Sequence, residues 1–148
     1  MTVTAFSGLT AAVKDLLLQA PPVANGNVSR RVRPLQQGQA SAVVVLPVVA
    51  DEQPGMTSGP VDWTTTLVLE LQARSQPSQD PEDALDPLLA EVFARLRLLP
   101  QVMPSAVSGL GQSRIEWDFQ EADSGLVVAR LAVGVEHRTA AASLVAAP

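Results

Sequence analysis

Few residues of this 148-residue chain could carry out acid–base or metal chemistry. The chain has one histidine, His137, and no cysteine, which excludes disulfides, thiol catalysis and thiolate metal sites. A histidine that acts as a base or as a metal ligand needs partner side chains at defined positions, and the sequence places none near His137. We therefore expect a structural or surface histidine, at the exposed end of the last predicted strand.

Carboxylates are the second candidate for chemistry. Glu116 and Asp118 are two residues apart on a predicted strand and share one face, as a catalytic carboxylate pair would, but a solvated strand face shows the same pattern. Four further acids lie at the start of a predicted helix, with spacing typical of helix capping and not of a calcium loop. They are Asp80, Glu82, Asp83 and Asp86. The sequence thus predicts no catalytic residue, no metal site and no cofactor, and we expect that the protein is not an enzyme.

The composition indicates a single domain with more apolar residues than an isolated surface usually shows. Hydrophobic residues make up 47% of the chain and charged residues 17%, and a protein with so few charges often buries its excess apolar area between subunits. The net charge of −5 argues against sequence-independent binding of nucleic acid. No apolar run reaches the roughly 18–20 residues of a membrane helix, and the N-terminus lacks a basic signal-peptide region. We expect synthesis in a cytoplasm and no membrane partner.

Two predicted strands within residues 42–74 form the centre of the fold. The run AVVVLPVV, from Ala42 to Val49, lacks alternation and is expected to be buried on both faces, with a bulge or a strand end at Pro47. The stretch from Trp63 to Arg74 alternates between two faces. Between the strands, the segment from Asp51 to Pro60 contains two prolines and two glycines and is predicted to be an exposed loop.

Two helices with apolar stripes are expected to pack on these strands. The first runs from about Thr4 to Gln19 and ends at Pro21-Pro22, because neither proline can donate a backbone hydrogen bond. The second helix begins at an Asp80 cap, and Pro100 is expected to end it. Pro87 either restarts this helix or kinks it.

A loop and a hairpin complete the predicted fold. Residues 101–112 contain a proline and two glycines and are predicted to be loop, and residues 115–119 and 126–136 form the two strands of the hairpin. Together the elements predict an α+β domain, with a mostly antiparallel sheet of about four to five strands and two helices packed on one face. We place this single domain at residues 1–139. The tail, residues 140–148, is either frayed or packed on a neighbour.

The one basic cluster lies on a short predicted edge strand from Val28 to Arg33. It consists of Arg30, Arg31 and Arg33. Arginines on an edge strand prevent unwanted strand pairing, and the same side chains can contact an acidic partner. The sequence favours these two roles equally, and they are compatible. Contact with the DNA backbone is less favoured, because no aromatic residues alternate with the arginines.

In the order of these segments and in their residue patterns, the chain resembles the tail terminator, or tail completion, proteins of tailed bacteriophages. The resemblance covers roughly residues 6–139 and includes no catalytic motif. It lies in the N-terminal helix, the arginine-bearing strand VSRRVRPL, the apolar strand VVVLPVV, the alternating strand WTTTLVLELQARS, the capped helix DPEDALDPLL and the final hairpin EWDFQEADSGLVVARLAVGVEHR.

This resemblance implies a virion protein of the tail or neck, assembled in the host cytoplasm as a hexameric ring. Such a ring caps the tail tube at its proper length and presents a surface to the head-completion, or stopper, protein. The tail tube protein is the other implied partner, with the sheath protein as a further candidate. DNA would pass through the lumen of the ring without sequence-specific binding.

Candidate partner contacts lie in the basic cluster and in the two predicted loops, because loops displayed by a rigid sheet often carry function. They are Arg30, Arg31, Arg33, Asp51, Glu52, Met56, Val102 and Met103. Another neck component, such as a head–tail connector, is the alternative function. A small hydrolase that uses Glu116 and Asp118, or His137, is a further alternative from a different class.

Overall fold

The computed structural model describes residues 3–55 and 58–147 and contains a five-stranded sheet with helices on one face. In chain order the elements are α1 (Ala5–Leu18), a 3-10 turn (Val23–Gly26), β1 (Val28–Ser29), β2 (Ser41–Glu52), β3 (Val61–Arg74), α2 (Pro81–Leu96), α3 (Leu99–Val102), β4 (Val107–Asp118), a second 3-10 turn (Ala122–Ser124) and β5 (Leu126–Thr139). The strands lie in the order β1-β2-β3-β5-β4, with β1 parallel to β2 and the other neighbours antiparallel. The predicted α+β class is therefore confirmed.

Strands β3 and β5 form the centre of the sheet because each carries apolar side chains at every second residue. Leu67, Leu69 and Leu71 of β3 are 0% exposed, and so is Leu131 of β5. They lie on the face covered by α1 and α2, where they join one continuous hydrophobic core. Burial of one such leucine contributes about 1.5–3 kcal/mol relative to an exposed position. The alternation predicted for both strands is confirmed.

The two predicted helices form, with differences at their prolines. Helix α1 begins after Thr4, whose side chain accepts a hydrogen bond from the Ser7 backbone N–H. Helix α2 continues through Pro87 as one helix, so Pro87 does not restart it. The expectation that Pro100 ends α2 is wrong, since α2 ends at Leu96 and Pro100 lies at the start of α3. Proline suits this position because the first turn of a helix needs no backbone donor.

A side chain of α2 binds the end of α1. The guanidinium of Arg95 donates hydrogen bonds to four backbone carbonyls, those of Leu16, Leu17, Gln19 and Pro21. The last carbonyls of a helix have no partner within the helix, and α1 has no basic residue in its own last turn. Arg95 therefore caps α1 from a second helix and fixes how the two helices pack.

Strand β2 differs from its prediction in both burial and length. It was expected to be buried on both faces, but only Val43, Val44 and Val45 are buried, while residues 47–49 are exposed. The predicted irregularity at Pro47 is confirmed as a shift of register between Pro47 and Val49. The structure explains the difference, because the apolar run continues beyond the region that the helices and β1 cover.

The two predicted loops are shorter than expected. Strand β2 extends to Glu52, so Asp51 and Glu52 are strand residues that pair with Thr64 and Trp63, not loop residues. The predicted loop at residues 101–112 is also wrong, because it contains part of α3 and the first half of β4. Glycines in β4 hid this strand from a propensity argument, and the pairing with β5 shifts register twice in the same region.

The tail, residues 140–147, is held against its own chain. The backbone N–H of Ala5, the first residue of α1, donates to the Leu144 carbonyl at 2.8 Å. Within the tail, the N–H of Ala140 donates to the Val145 carbonyl at 2.9 Å, and Ala146 forms a bridge with Thr139. The two ends of the described chain are therefore joined at one end of the sheet.

Candidate functional site

The β4 edge of the sheet carries aromatic side chains that no helix covers in the described part of the chain. Trp117 lies opposite Ala129 of β5, so both residues are on the face that the helices cover. Ala129 is 0% exposed, whereas Trp117 is 46% exposed and Phe119, just beyond β4, is 40% exposed. Helix α2 packs on β3 and β5, and the sheet continues one strand further.

Helix α2 adds one aromatic residue on the same side. Phe93 precedes Arg95 by two residues, which places it about 200° away around the helix axis. Because Arg95 points at α1, Phe93 points away from α1 and towards the β4 side of the sheet. It is 37% exposed, and the Arg97 guanidinium lies 5.6 Å from its ring centroid. We call Phe93, Trp117 and Phe119 the aromatic edge.

The arginine cluster lies at the other lateral edge of the sheet, after β1. Strand β1 was predicted to reach Arg33 but ends at Ser29, and beyond it the Arg33 carbonyl accepts a hydrogen bond from the side-chain amide of Gln72 on β3. Arg30, Arg31 and Arg33 are therefore exposed residues of a connecting segment and not strand residues. The Arg30 guanidinium donates to the Ser7 hydroxyl at 3.0 Å. We call residues 30–33, with Val32 at 72% exposure, the basic edge.

Much of β2 beside the basic edge also lacks a neighbouring strand. Strand β1 pairs only with Val43 and Val44, so within residues 3–55 and 58–147 no strand pairs with the outer side of β2 beyond Val44. Val48 and Val49 in this part of β2 are 63% and 48% exposed. Unpaired strand edges with exposed apolar side chains are sites where another chain can bind.

A line of polar contacts crosses the open face of the sheet between the two edges. Arg130 of β5 donates to the Glu70 carboxylate at 3.2 Å and lies 3.6 Å from that of Asp118 on β4. The Gln72 side-chain amide donates to Glu70 at 2.9 Å and to the Arg33 carbonyl at 3.3 Å. The Arg130 contacts join β5 to β3 and β4, and the Gln72 contact joins β3 to the segment that carries Arg33, so this line links the basic edge to β4 through β3 and β5.

His137 is buried, which corrects the prediction that it lies at an exposed strand end. It is 2% exposed, and its Nε2 lies 2.7 Å from the Thr65 hydroxyl. The Phe6 ring packs edge-on against both His137 and Trp63, with ring centroids 5.3 Å apart in each pair. Burial lowers the pKa of His137 below its usual value of 6.5. This arrangement fits a neutral histidine packed in the core, which agrees with the expected structural role of His137.

The residues weighed for catalysis do not come together. Asp118 lies opposite Val128 and His137 opposite Val107, so along β5 the carboxylate and the histidine are separated by about 30 Å. The two carboxylates are also engaged elsewhere, Glu116 with Arg114 and Asp118 with Arg130.

The remaining predicted contact residues lie at the end of the sheet where β3 begins. Asp51 and Glu52 are exposed on β2, and Val102 is 51% exposed at the end of α3. Met103 is only partly exposed, because it packs against the core. Met56 lies outside the described residues. These positions are separate from the basic edge, so the predicted contacts form two groups and not one site.

The aromatic edge was missed by the sequence argument, which treated Trp117 and Phe119 as ordinary members of a half-buried strand. Apolar alternation is the same for a strand that faces the core and for one that faces another subunit. A signal was present only in the composition, where the low charged fraction indicated buried surface between subunits.

No protein-family model matches this chain, and no curated protein matches it. Among the described residues, no group of three or more histidine or acidic side chains has the arrangement needed to hold a metal ion. No helix in this part of the chain has both the length and the apolar character needed to cross a membrane.

Proposed function

We propose that this protein is a structural virion component, a tail terminator that assembles as a ring on the end of a bacteriophage tail tube. The observation that carries this proposal is the pair of incomplete edges on opposite sides of one sheet. The outer side of β4 and the outer side of β2 each have exposed apolar residues, among them Trp117 and Val48. A subunit with two different binding surfaces on opposite sides is suited to a closed ring.

The surfaces suit permanent contacts better than catalysis. Exposed aromatic residues are enriched at protein interfaces and supply much of their binding energy. Asp118 and Arg130 form an ion pair between β4 and β5, and Glu116 pairs with Arg114 of its own strand, so these charges are used within the sheet. These features fit a scaffold subunit, and the likeness of the segment order to tail terminators supplies the proposed place in the virion.

The partners of the ring would bind at its two ends. Asp51, Glu52 and Val102 lie at the other end of the strands from the basic edge and from Trp117, so they remain free when those two surfaces are occupied. We propose this end as the contact with the tail tube or with the head-completion protein. DNA passes through the lumen without sequence-specific binding.

The test is to image tails assembled without this protein and to measure their lengths by electron microscopy. Loss of a terminator is expected to give tails of uncontrolled length that do not join heads. Supplying the Trp117→Ser variant is expected to leave the defect, whereas Leu98→Ser, which changes a residue of similar exposure at 43%, is expected to restore normal tails.

Two results would contradict the proposal. Tails of normal length that fail to join heads would indicate another neck component, such as a head–tail connector. Normal tails that join heads and infect would exclude a role in tail completion.

A further inference from the structure

We infer that the basic edge of one subunit binds the acidic turn and aromatic edge of a second copy of this chain, so that subunits join head to tail. The inference rests on the proposed function, because it names the contact through which the ring forms. It concerns two surfaces whose charges and apolar residues complement each other.

The basic edge presents cations without an acidic partner in the described chain. Arg30, Arg31 and Arg33 are exposed, and none of them forms an ion pair within residues 3–55 and 58–147. Val32 lies between them and is 72% exposed. An apolar residue surrounded by cations is typical of a surface that contacts an acidic, partly apolar partner.

The opposite edge presents the matching groups. The turn between β4 and β5 carries Glu121 and Asp123, both exposed and both without a cation partner in the described part of the chain. Beside this turn lie Trp117 and Phe119 of the aromatic edge. The arginines can contact the acids of the turn while Val32 packs on the aromatic side chains.

Charge also decides the direction of assembly. If two copies met through the same edge, arginines would face arginines or acids would face acids, and like charges at close range oppose binding. A head-to-tail contact puts the basic edge against the acidic turn instead. Because β1 and β4 are the two ends of the strand order, each subunit can make both contacts at once. Exposed ion pairs contribute little affinity, so the aromatic residues supply the binding and the charges set the orientation.

The test uses two charge-reversed variants and their mixture. The first carries Arg30→Glu and Arg31→Glu, and the second carries Glu121→Arg and Asp123→Arg. Each variant alone opposes like charges at every contact, so each is expected to stay monomeric by light scattering and to fail to restore tail length. The 1:1 mixture offers an attractive pair at every contact, and it is expected to assemble as alternating subunits and to restore tail length.

Controls separate this contact from folding and from net charge. Asp15→Arg with Glu82→Arg gives the same change in net charge as the second variant, at exposed positions on α1 and α2, and is expected to assemble like the unmodified protein. Circular dichroism and the thermal midpoint show whether each variant folds. Variants Arg30→Gln and Arg31→Gln give a milder version if a reversed variant does not fold, with weakened assembly expected.

The outcomes distinguish this inference from the proposed function. Assembly of either reversed variant alone, or a mixture that stays monomeric and does not restore tail length, would overturn the head-to-tail contact. Loss of length control in tails without the protein would still support the terminator in that case. Normal tails without the protein would overturn the function, while rescue of assembly in the mixture would still support the contact.

Discussion

Ala129 and Trp117 lie opposite each other on the same face of the sheet, yet one is 0% and the other 46% exposed. The difference comes from the layer above them, because α2 packs mainly on β5 and β3. The sheet therefore has a covered region, around β3 and β5, and an uncovered region at the Trp117 end of β4, whereas Val107 at the start of β4 is buried. The apolar pattern of this chain thus extends beyond its own helices, which leaves Trp117 and Phe119 as an exposed apolar surface.

The largest effect is expected from truncating a leucine in the covered region. Leu131→Ala removes a side chain that is 0% exposed and leaves a cavity, so the free energy of unfolding should fall by about 2–5 kcal/mol. Urea denaturation followed by circular dichroism measures this loss. Ile115→Ala, at the position directly opposite on β4, is the matched control and should cost clearly less, because Ile115 is only partly buried. Equal losses would mean that the two regions do not differ in packing.

A smaller effect, dependent on pH, is expected from the buried histidine of the covered region. Burial lowers the folded-state pKa of His137 below 6.5, so as pH falls below 6.5 the unfolded chain takes up a proton before the folded chain does. Stability should therefore be full above pH 6.5, fall below it, and level off once the lowered folded-state pKa is passed. In His137→Gln this slope should disappear.

Denaturation midpoints measured between pH 7.5 and about pH 5 check this expectation, since most carboxylates titrate below that range. The hydrogen bond from Arg138 lowers the pKa of Asp62 from 3.8, which keeps its titration well outside the window. Trp117→Ser serves as the control and should keep the slope. A slope unchanged in His137→Gln would show that another group causes it.

The smallest effect on stability is expected in the uncovered region itself. Trp117→Ser removes a side chain that is 46% exposed, and its cost to the free energy of unfolding should be at most about 1 kcal/mol. Assembly should nevertheless be lost, because the indole belongs to the proposed contact. Parallel measurements of unfolding and of mass by light scattering check both parts. A large loss of stability together with normal assembly would show that Trp117 stabilises the fold and does not take part in the proposed contact.

The sequence predicted the covered region well because local pattern and tertiary burial agree there. The alternation of β3 and β5 and the stripes of α1 and α2 were read correctly, and the bulge at Pro47 followed from the missing backbone donor. The prediction failed for β4, where the glycines have a low propensity for strands but the residues pair with β5. Gly109 and Gly111 made β4 look like loop, although both lie within the strand and Gly109 pairs with Glu136 of β5.

The candidate site was predicted only in part, because exposure depends on neighbours distant in the sequence. Arg30, Arg31 and Arg33 were identified as contact candidates, but no local rule shows that the strand ends before them. His137 was expected at an exposed end, and it is covered by Phe6, which is 131 positions earlier in the chain. Trp117 is exposed because α2 packs mainly on β3 and β5, and the periodicity of a strand does not show which of its residues a helix will cover.

The capping of α1 by Arg95 has a consequence for how the protein forms during translation. Arg95 follows Gln19 by 76 residues, so α1 leaves the ribosome well before the side chain that satisfies its last carbonyls. An isolated helix of 14 residues is marginal in water, and we expect α1 to stay frayed until α2 has been synthesised and docks on it. The nascent N-terminal half would thus remain only partly folded until shortly before β4 is synthesised, which places the docking of α1 late in the formation of the domain.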